Sequence, residues 1–168
     1  DKPQWENAPW LAPQLAVEMS FDEYRTNQDP ALVACLQFSD KEVVLDPMGY
    51  LKELFEAGKL NEVEAAAKKM AADPKYKYVN FEEKFNQAGY NLMNSQQMEA
   101  ALYVFELNTK LYPQSANAWD SFAEANWKAG KTAAAIEYYN KAIELDPRGN
   151  TGEHARHQLK LIKAKKAF

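Results

Sequence analysis

Residues 82–113 and 116–147 repeat one helical-hairpin pattern at a fixed offset, and this repetition restricts the fold more than any other feature of the chain. Pro113 and Pro147 are 34 residues apart, as are Ala101 and Ala135, Phe105 and Tyr139, and Phe85 and Trp119. A period in this range marks a supersecondary unit that cannot bury its apolar face alone and therefore stacks on its neighbours. In each unit the first helix carries a large aromatic near its start, Phe85 or Trp119, and a small residue one turn later, Gly89 or Ala123. The second helix has Ala101 or Ala135, followed at i+4 by Phe105 or Tyr139. Spacings of three and four put these groups on one helix face, where the small residue admits the neighbouring helix. Proline then stops each second helix, because it lacks the N–H donor and disfavours helical geometry in the residue before it. Gly130 can close the first helix of the second unit in a left-handed conformation, while Gln96 holds the same place in the first unit and must adopt it with a Cβ.

Away from the repeats the signals are local. Residues 1–18 are rich in Pro, Trp and Ala without helical periodicity, which predicts an extended segment with a short strand at Leu15 to Glu18. Ser20 and Glu23 have capping-box spacing and predict a short helix through Arg25. Asp29-Pro30 reads as the N-cap and first residue of another, running to about Phe38. After Asp46-Pro47 a helix with Leu51, Leu54 and Phe55 ends at Gly58. A second, from near Asn61 with Glu64 as capping partner, buries Val63, Ala66, Ala67 and Met70 until Asp73-Pro74 stops it. This hairpin reads as a diverged third repeat, separated from the next by a linker holding Lys75, Tyr76, Lys77 and Tyr78. A last helix from Asn150, capped with Glu153, presents Ala155, Leu159 and Ile162 and reads as the cap of the stack.

Composition excludes more than it assigns. At 168 residues the chain can bury a core without staples. Cys35 is the sole cysteine, so no internal disulfide forms, and a buried inert thiol is expected. No apolar run approaches the roughly 20 residues that span a bilayer. The net charge is −4, yet residues 148–168 hold six cations and one acid, 6 − 1 = +5. Lysines in the final turns complement the helix dipole, and without interleaved exposed aromatics the basic tail does not read as a nucleic-acid surface. No Gly-rich phosphate loop, G-x-S-x-G elbow or Cys-x-x-Cys pair is present. Asp120, Ser121 and His154 do not make a triad, because Asp120 and Ser121 point in different directions on one helix. His154 and His157 lack a third ligand of fitting spacing and read as a solvated pair. The expectation is no enzyme, no cofactor and no metal.

Through Trp119, Phe122, Ala123, Gly130, Ala135, Tyr139, Ala142 and Pro147, and again through Phe85, Gly89, Leu92, Ala101, Phe105 and Pro113, the chain resembles the tetratricopeptide repeat family. Asn126 stands where that family usually has an aromatic and Asn108 where it has alanine, which implies looser or polar packing there. The resemblance implies an all-α right-handed superhelix of helical hairpins, with an extended N-terminal segment over 1–45 and a helical domain over 46–168. It also implies a concave groove lined by the first helices, whose positions map onto Glu83, Asn86, Tyr90, Met93, Asn94, Asn117, Asp120, Glu124, Trp127 and Lys128, extended by His154 and Gln158 from the cap. Tyr90, Met93 and Trp127 are aromatic and methionine anchors, and Glu83, Asp120 and Glu124 would repel an acidic ligand, so the expected partner is a neutral or basic extended peptide. The chaperone-tail clamp of some family members needs asparagines where this chain has Tyr90 and Ser121. Alternatively Trp5 and Trp10 of the chain's own N-terminal segment cover the groove.

The runs from Phe85 to Leu92, Val104 to Asn108 and Tyr112 to Ser121 further resemble the repeat pair appended to bacterial hydrolases and peptidases. Glu6-Asn7, the stretch from Pro13 to Glu18 and that from Asp29 to Leu32 are similar to the closing segment of C-terminal processing proteases, with Gln14 where that family has an acid. This implies an alternative role as the accessory region of an exported serine peptidase whose catalytic residues would precede Asp1. Export is the favoured compartment on this reading.

Overall fold

Nine α-helices and one 3-10 turn account for most of the residues that the computed structural model describes, 16–38 and 43–165, and no strand occurs among them. The described residues fall into two compact units that divide between Val79 and Asn80. The proposed covering of the groove by Trp5 and Trp10 lies outside the described residues, as does the part of the protease resemblance before Ala16.

In the first unit, α1 (Phe21–Arg25) starts with the expected capping box: Glu23 N–H donates to Ser20 Oγ, and the Glu23 carboxylate accepts from Ser20 N–H. Helix α2 (Pro30–Gln37) is capped by the Asp29 side chain, which accepts from Leu32 N–H at 2.9 Å. Neither helix buries a residue. The expectation of a buried Cys35 is therefore overturned, because the thiol sits on an exposed helix. Ala16 to Glu18 do not form the expected strand; Ala16 N–H donates to the Lys75 carbonyl at 3.3 Å, a single bond rather than a ladder. Helices α3 (Pro47–Glu56) and α4 (Leu60–Ala72) pack as the predicted hairpin, burying Leu51, Leu54, Val63, Ala67 and Met70. Asn61 does not cap α4. The helix begins a residue earlier, after Lys59, with no side-chain cap. The linker is more structured than its composition suggests, since Pro74–Tyr76 forms a 3-10 turn and the buried Tyr76 accepts from Val44 N–H at 2.9 Å through its hydroxyl.

In the second unit α5 (Phe81–Asn94) pairs with α6 (Met98–Leu111), α7 (Ala116–Lys128) with α8 (Thr132–Leu145), and α9 (Asn150–Lys165) closes on α8. The repeat residues act as their types require. A Cβ on Gly89 would lie 2.6 Å from the Phe105 ring, so α5 and α6 approach only because position 89 has none. Ala101, Ala123 and Ala135 are fully buried at the corresponding close approaches. Two clusters result, one of Met93, Ala101, Phe105, Phe122 and Ala125, the other of Ala123, Ala135, Tyr139, Ala142, Ala155, Leu159 and Ile162. Hydrogen bonds accommodate the polar substitutions in part, the Asn108 Oδ1 atom staying buried without a partner. Buried Asn126 donates to the Phe122 carbonyl at 2.8 Å, and buried Asn108 donates to the Glu82 carbonyl at 3.1 Å, tying α6 to the start of α5. Glu82 also accepts from Ser115 Oγ at 2.5 Å, linking the first hairpin to the N-cap of the second. Asn150 does not cap α9; the Asp146 carboxylate does, accepting from Gly149 N–H at 2.8 Å and Thr151 N–H at 3.2 Å.

All three hairpins turn alike. Gly58, Gln96 and Gly130 have φ of 73°, 62° and 77°, and the next residue's N–H returns to a carbonyl in the last turn, from Lys59 to Leu54, Gln97 to Leu92 and Lys131 to Asn126. Gln96 is the one of the three whose Cβ opposes this conformation, at a cost of about 1 kcal/mol or more. Gln96→Gly is expected to raise the unfolding free energy by about 1 kcal/mol in urea denaturation. An unchanged or lowered midpoint would contradict it.

Candidate functional site

The first helices of the second unit form a row in which α5 touches α7 and α7 touches α9. Because the period carries each residue onto its equivalent in the next helix, polar side chains fall into two ladders, Asn86, Asp120 and His154, and four residues further on Tyr90, Glu124 and Gln158. One step of each ladder is closed by a hydrogen bond between residues 34 apart: Tyr90 Oη donates to Glu124 Oε2 at 2.9 Å, and His154 Nδ1 lies 2.8 Å from Asp120 Oδ2 and 3.0 Å from Oδ1. Gln158 Nε2 stands 3.0 Å from His154 Nε2. The ring of His154 is thus held between the Asp120 carboxylate at Nδ1 and the Gln158 amide at Nε2.

Burial tunes these groups. The Asp120 side chain is 9% exposed and its carboxyl is pushed above the usual carboxylate range, first by desolvation, against the hydrogen bond and the electrostatic pull of His154, and with a further push from the Glu124 charge. Desolvation likewise holds the Tyr90 phenol well above its ordinary value; the Ser121 hydroxyl at 3.3 Å opposes this, and the charges of Glu124 and Asp120 reinforce it. Beneath the ladders lies Tyr139 of α8, fully buried, whose hydroxyl has no hydrogen-bond partner. Its phenol is raised by burial and by the fields of Asp120, Glu124 and Tyr90. The Asn86 Oδ1 atom is buried and also lacks a partner.

Of the positions expected to line a groove, the structure joins Tyr90, Glu124 and Lys128 in one set of side-chain contacts, Lys128 Nζ lying 2.8 Å from Glu124 Oε1, and Asp120 and His154 in another. Trp127 is half-buried and leans on the cluster around Tyr139. Met93 is 7% exposed inside the Phe105 cluster, so it supports α5 from below rather than offering itself to a partner. Glu83 is exposed and engaged with the α5 cap, its carboxylate accepting from Asn80 Nδ2 at 3.1 Å. Asn94 and Asn117 are exposed. Ser121 and Tyr139 were not among the expected site residues; carrying the period through the polar residues as well as the apolar ones leads from Tyr90 to the helix face that holds Ser121.

His154 and His157 are both exposed, as a solvated pair requires, and Asp120 additionally holds the ring of His154. The Asp120 to His154 contact forms two-thirds of a triad, yet the buried Ser121 hydroxyl pairs with Tyr90, and the outer ring nitrogen of His154 is engaged by Gln158. Among the described residues no three His, Cys, Asp or Glu side chains are grouped as metal ligands, and no helix is long and apolar enough to cross a membrane.

Nested antiparallel hairpins at a 34-residue period, with a row of first helices carrying polar ladders, define a helical repeat protein. Residues 116–148, the second hairpin and its closing turn, match the family model described as tetratricopeptide repeat. No curated protein matches the chain. Among solved structures it is similar to the first TPR of Spaghetti (RPAP3), bound there to the HSP90 peptide SRMEEVD, with 20% identity, a TM-score of 0.47, and coverage of 73% of this chain and 91% of that one.

Proposed function

We propose that the chain is a protein-binding module that holds an extended peptide, neutral to basic in charge, along the row of α5, α7 and α9. The observation that carries this reading is the pair of ladders, which presents Tyr90, Glu124, Lys128 and His154 on one continuous face linked across three helices. Trp127 supplies the apolar contact area. An exposed acid such as Glu83 adds a field that disfavours acidic ligands. Chemistry on a bound substrate would need a nucleophile in contact with a base, and the Ser121 hydroxyl, next to Asp120 on α7, is buried and paired with Tyr90.

Peptide-library capture on the purified chain, followed by NMR titration of a captured peptide, tests the reading. Resonances of Tyr90, Trp127 and His154 are expected to move together while those of Lys141 on α8 stay put. Trp127→Ala is expected to weaken binding about tenfold or more, as for a central aromatic anchor. Shifts centred on α8, or a captured peptide indifferent to Trp127, would overturn it.

A further inference from the structure

We propose that the cleft between Trp119 of α7 and the exposed side of α8 seats one arginine side chain of a partner protein, a second recognition site besides the row of α5, α7 and α9. The cleft holds about 340 Å³ and is lined by Trp119, Glu137, Tyr138, Asn140, Lys141 and Glu144. That volume lies at the low end for ligand sites and suits a single head group. No ladder residue lines it, so the inference does not rest on the reading above. Its apolar wall is two half-buried rings, Trp119 and Tyr138, with centroids 5.6 Å apart and planes inclined by 42°. Both are fixed from behind: Phe122 stacks on Tyr138 at 4.6 Å, and the Trp119 indole N–H donates to the Pro113 carbonyl at 2.9 Å. A wall already in place spares a ligand the entropy of ordering it.

The rim supplies the charge. Glu144 holds the Lys141 ammonium at 3.1 Å, which leaves Glu137 as the surplus acid of the lining, 1 − 2 = −1. Among the described residues Glu137 has neither an ion pair nor a hydrogen bond, and its carboxylate is exposed. The Tyr138 phenol is raised by burial first and then by the charges of Glu137 and Glu106, so a negative field reaches the ring, although Glu106 itself has Lys110 at 3.2 Å. A guanidinium stacks flat on an aromatic face and donates in a fork to a carboxylate, an ammonium does so only as a point charge, and an anion is repelled. The repeat itself does not call for such a cleft. In the first hairpin the places of Trp119 and Lys141 hold Phe85 and Leu107, each 2% exposed, and those of Glu137 and Glu144 hold Tyr103 and Lys110. Open aromatic surface beside a free acid therefore belongs to the second hairpin rather than to the packing pattern.

Four blocked pentapeptides, with arginine, citrulline, lysine or glutamate central and alanine elsewhere, titrated into the full chain and read by NMR at the Trp119 indole and Tyr138 ring, test this. The arginine peptide is expected to bind about fivefold or more tightly than the citrulline peptide, which has the same shape without the charge, the factor that an exposed cation–π contact and a surface ion pair supply together. It is also expected to bind more tightly than the lysine peptide, and the glutamate peptide is expected not to bind. Glu137→Gln should remove most of the gap between arginine and citrulline, and Lys141→Gln, which takes away the competing cation, should widen it. Trp119→Phe copies the first hairpin and should weaken arginine binding by shrinking the stacking face; should that variant fail to fold, the exposed Glu137→Gln carries the test. Equal binding of arginine and citrulline, equal binding of arginine and lysine, or a gap that survives Glu137→Gln overturns the arginine seat. Arginine-dependent shifts confined to Tyr90, Trp127 and His154 overturn it while leaving the peptide-binding reading intact. Shifts at Trp119 and Tyr138 with Tyr90 and His154 unmoved support the seat whatever becomes of that reading.

Discussion

Replacing Phe105 by alanine is expected to lower the unfolding free energy by about 3–5 kcal/mol, the range for a large aromatic removed from a packed interior. The ring is fully buried, stands edge-to-face with Tyr90 at 5.2 Å between centroids, and fills the space that Gly89 leaves open on α5. Alanine there faces a glycine across the helix pair, so neither side chain can grow into the void, and the backbones of α5 and α6 must move to close it. Domains of this size are stable by about 5–15 kcal/mol, so the loss leaves little of the cooperative transition. Urea unfolding followed by far-UV circular dichroism measures it directly. The consequence reaches the site, because Tyr90 loses the ring that fixes its angle and with it the bond to Glu124. A drop below about 1 kcal/mol would mean that the hairpin does not depend on this contact and that the repeat pattern was misread at its central position.

Much of the second unit was legible because its signals are of one kind. A small residue opposite an aromatic, repeated at a constant offset, leaves few arrangements in which Gly89 with Phe105 and Ala123 with Tyr139 are both satisfied, and the structure adopts one of them. The site was legible only in part, for a physical reason. A groove position inferred from helix phase alone does not say how deeply a side chain sinks, and Met93 lies buried in the cluster around Phe105. Polar contacts obey the same period, which placed Asp120 on the face it shares with His154, yet the period does not say that Ser121, about 100° round the helix, reaches Tyr90 on the other neighbouring helix. Caps misled where a competing side chain was better placed. Asp146 outreaches Asn150 because it precedes the helix by enough residues to fold back over several N–H groups at once. In α1 and α2 the capping chemistry was right, and the expected burial of Cys35 was not, since a helix of apolar composition need not be covered by its own chain.

Tyr139→Phe is expected to stabilise the protein by about 1–2 kcal/mol, opposite in sign to most core substitutions. The side chain is fully buried and its hydroxyl has no partner, so the folded state bears the desolvation of that group without a compensating bond. Removing one oxygen changes the packed volume little, and the ring keeps its contacts with Ala123, Ala155 and Leu159 in the cluster. Differential scanning calorimetry of the two proteins checks the sign. A lower melting temperature would show that the hydroxyl is bound, by a water or a side-chain rearrangement reaching the floor of the ladders.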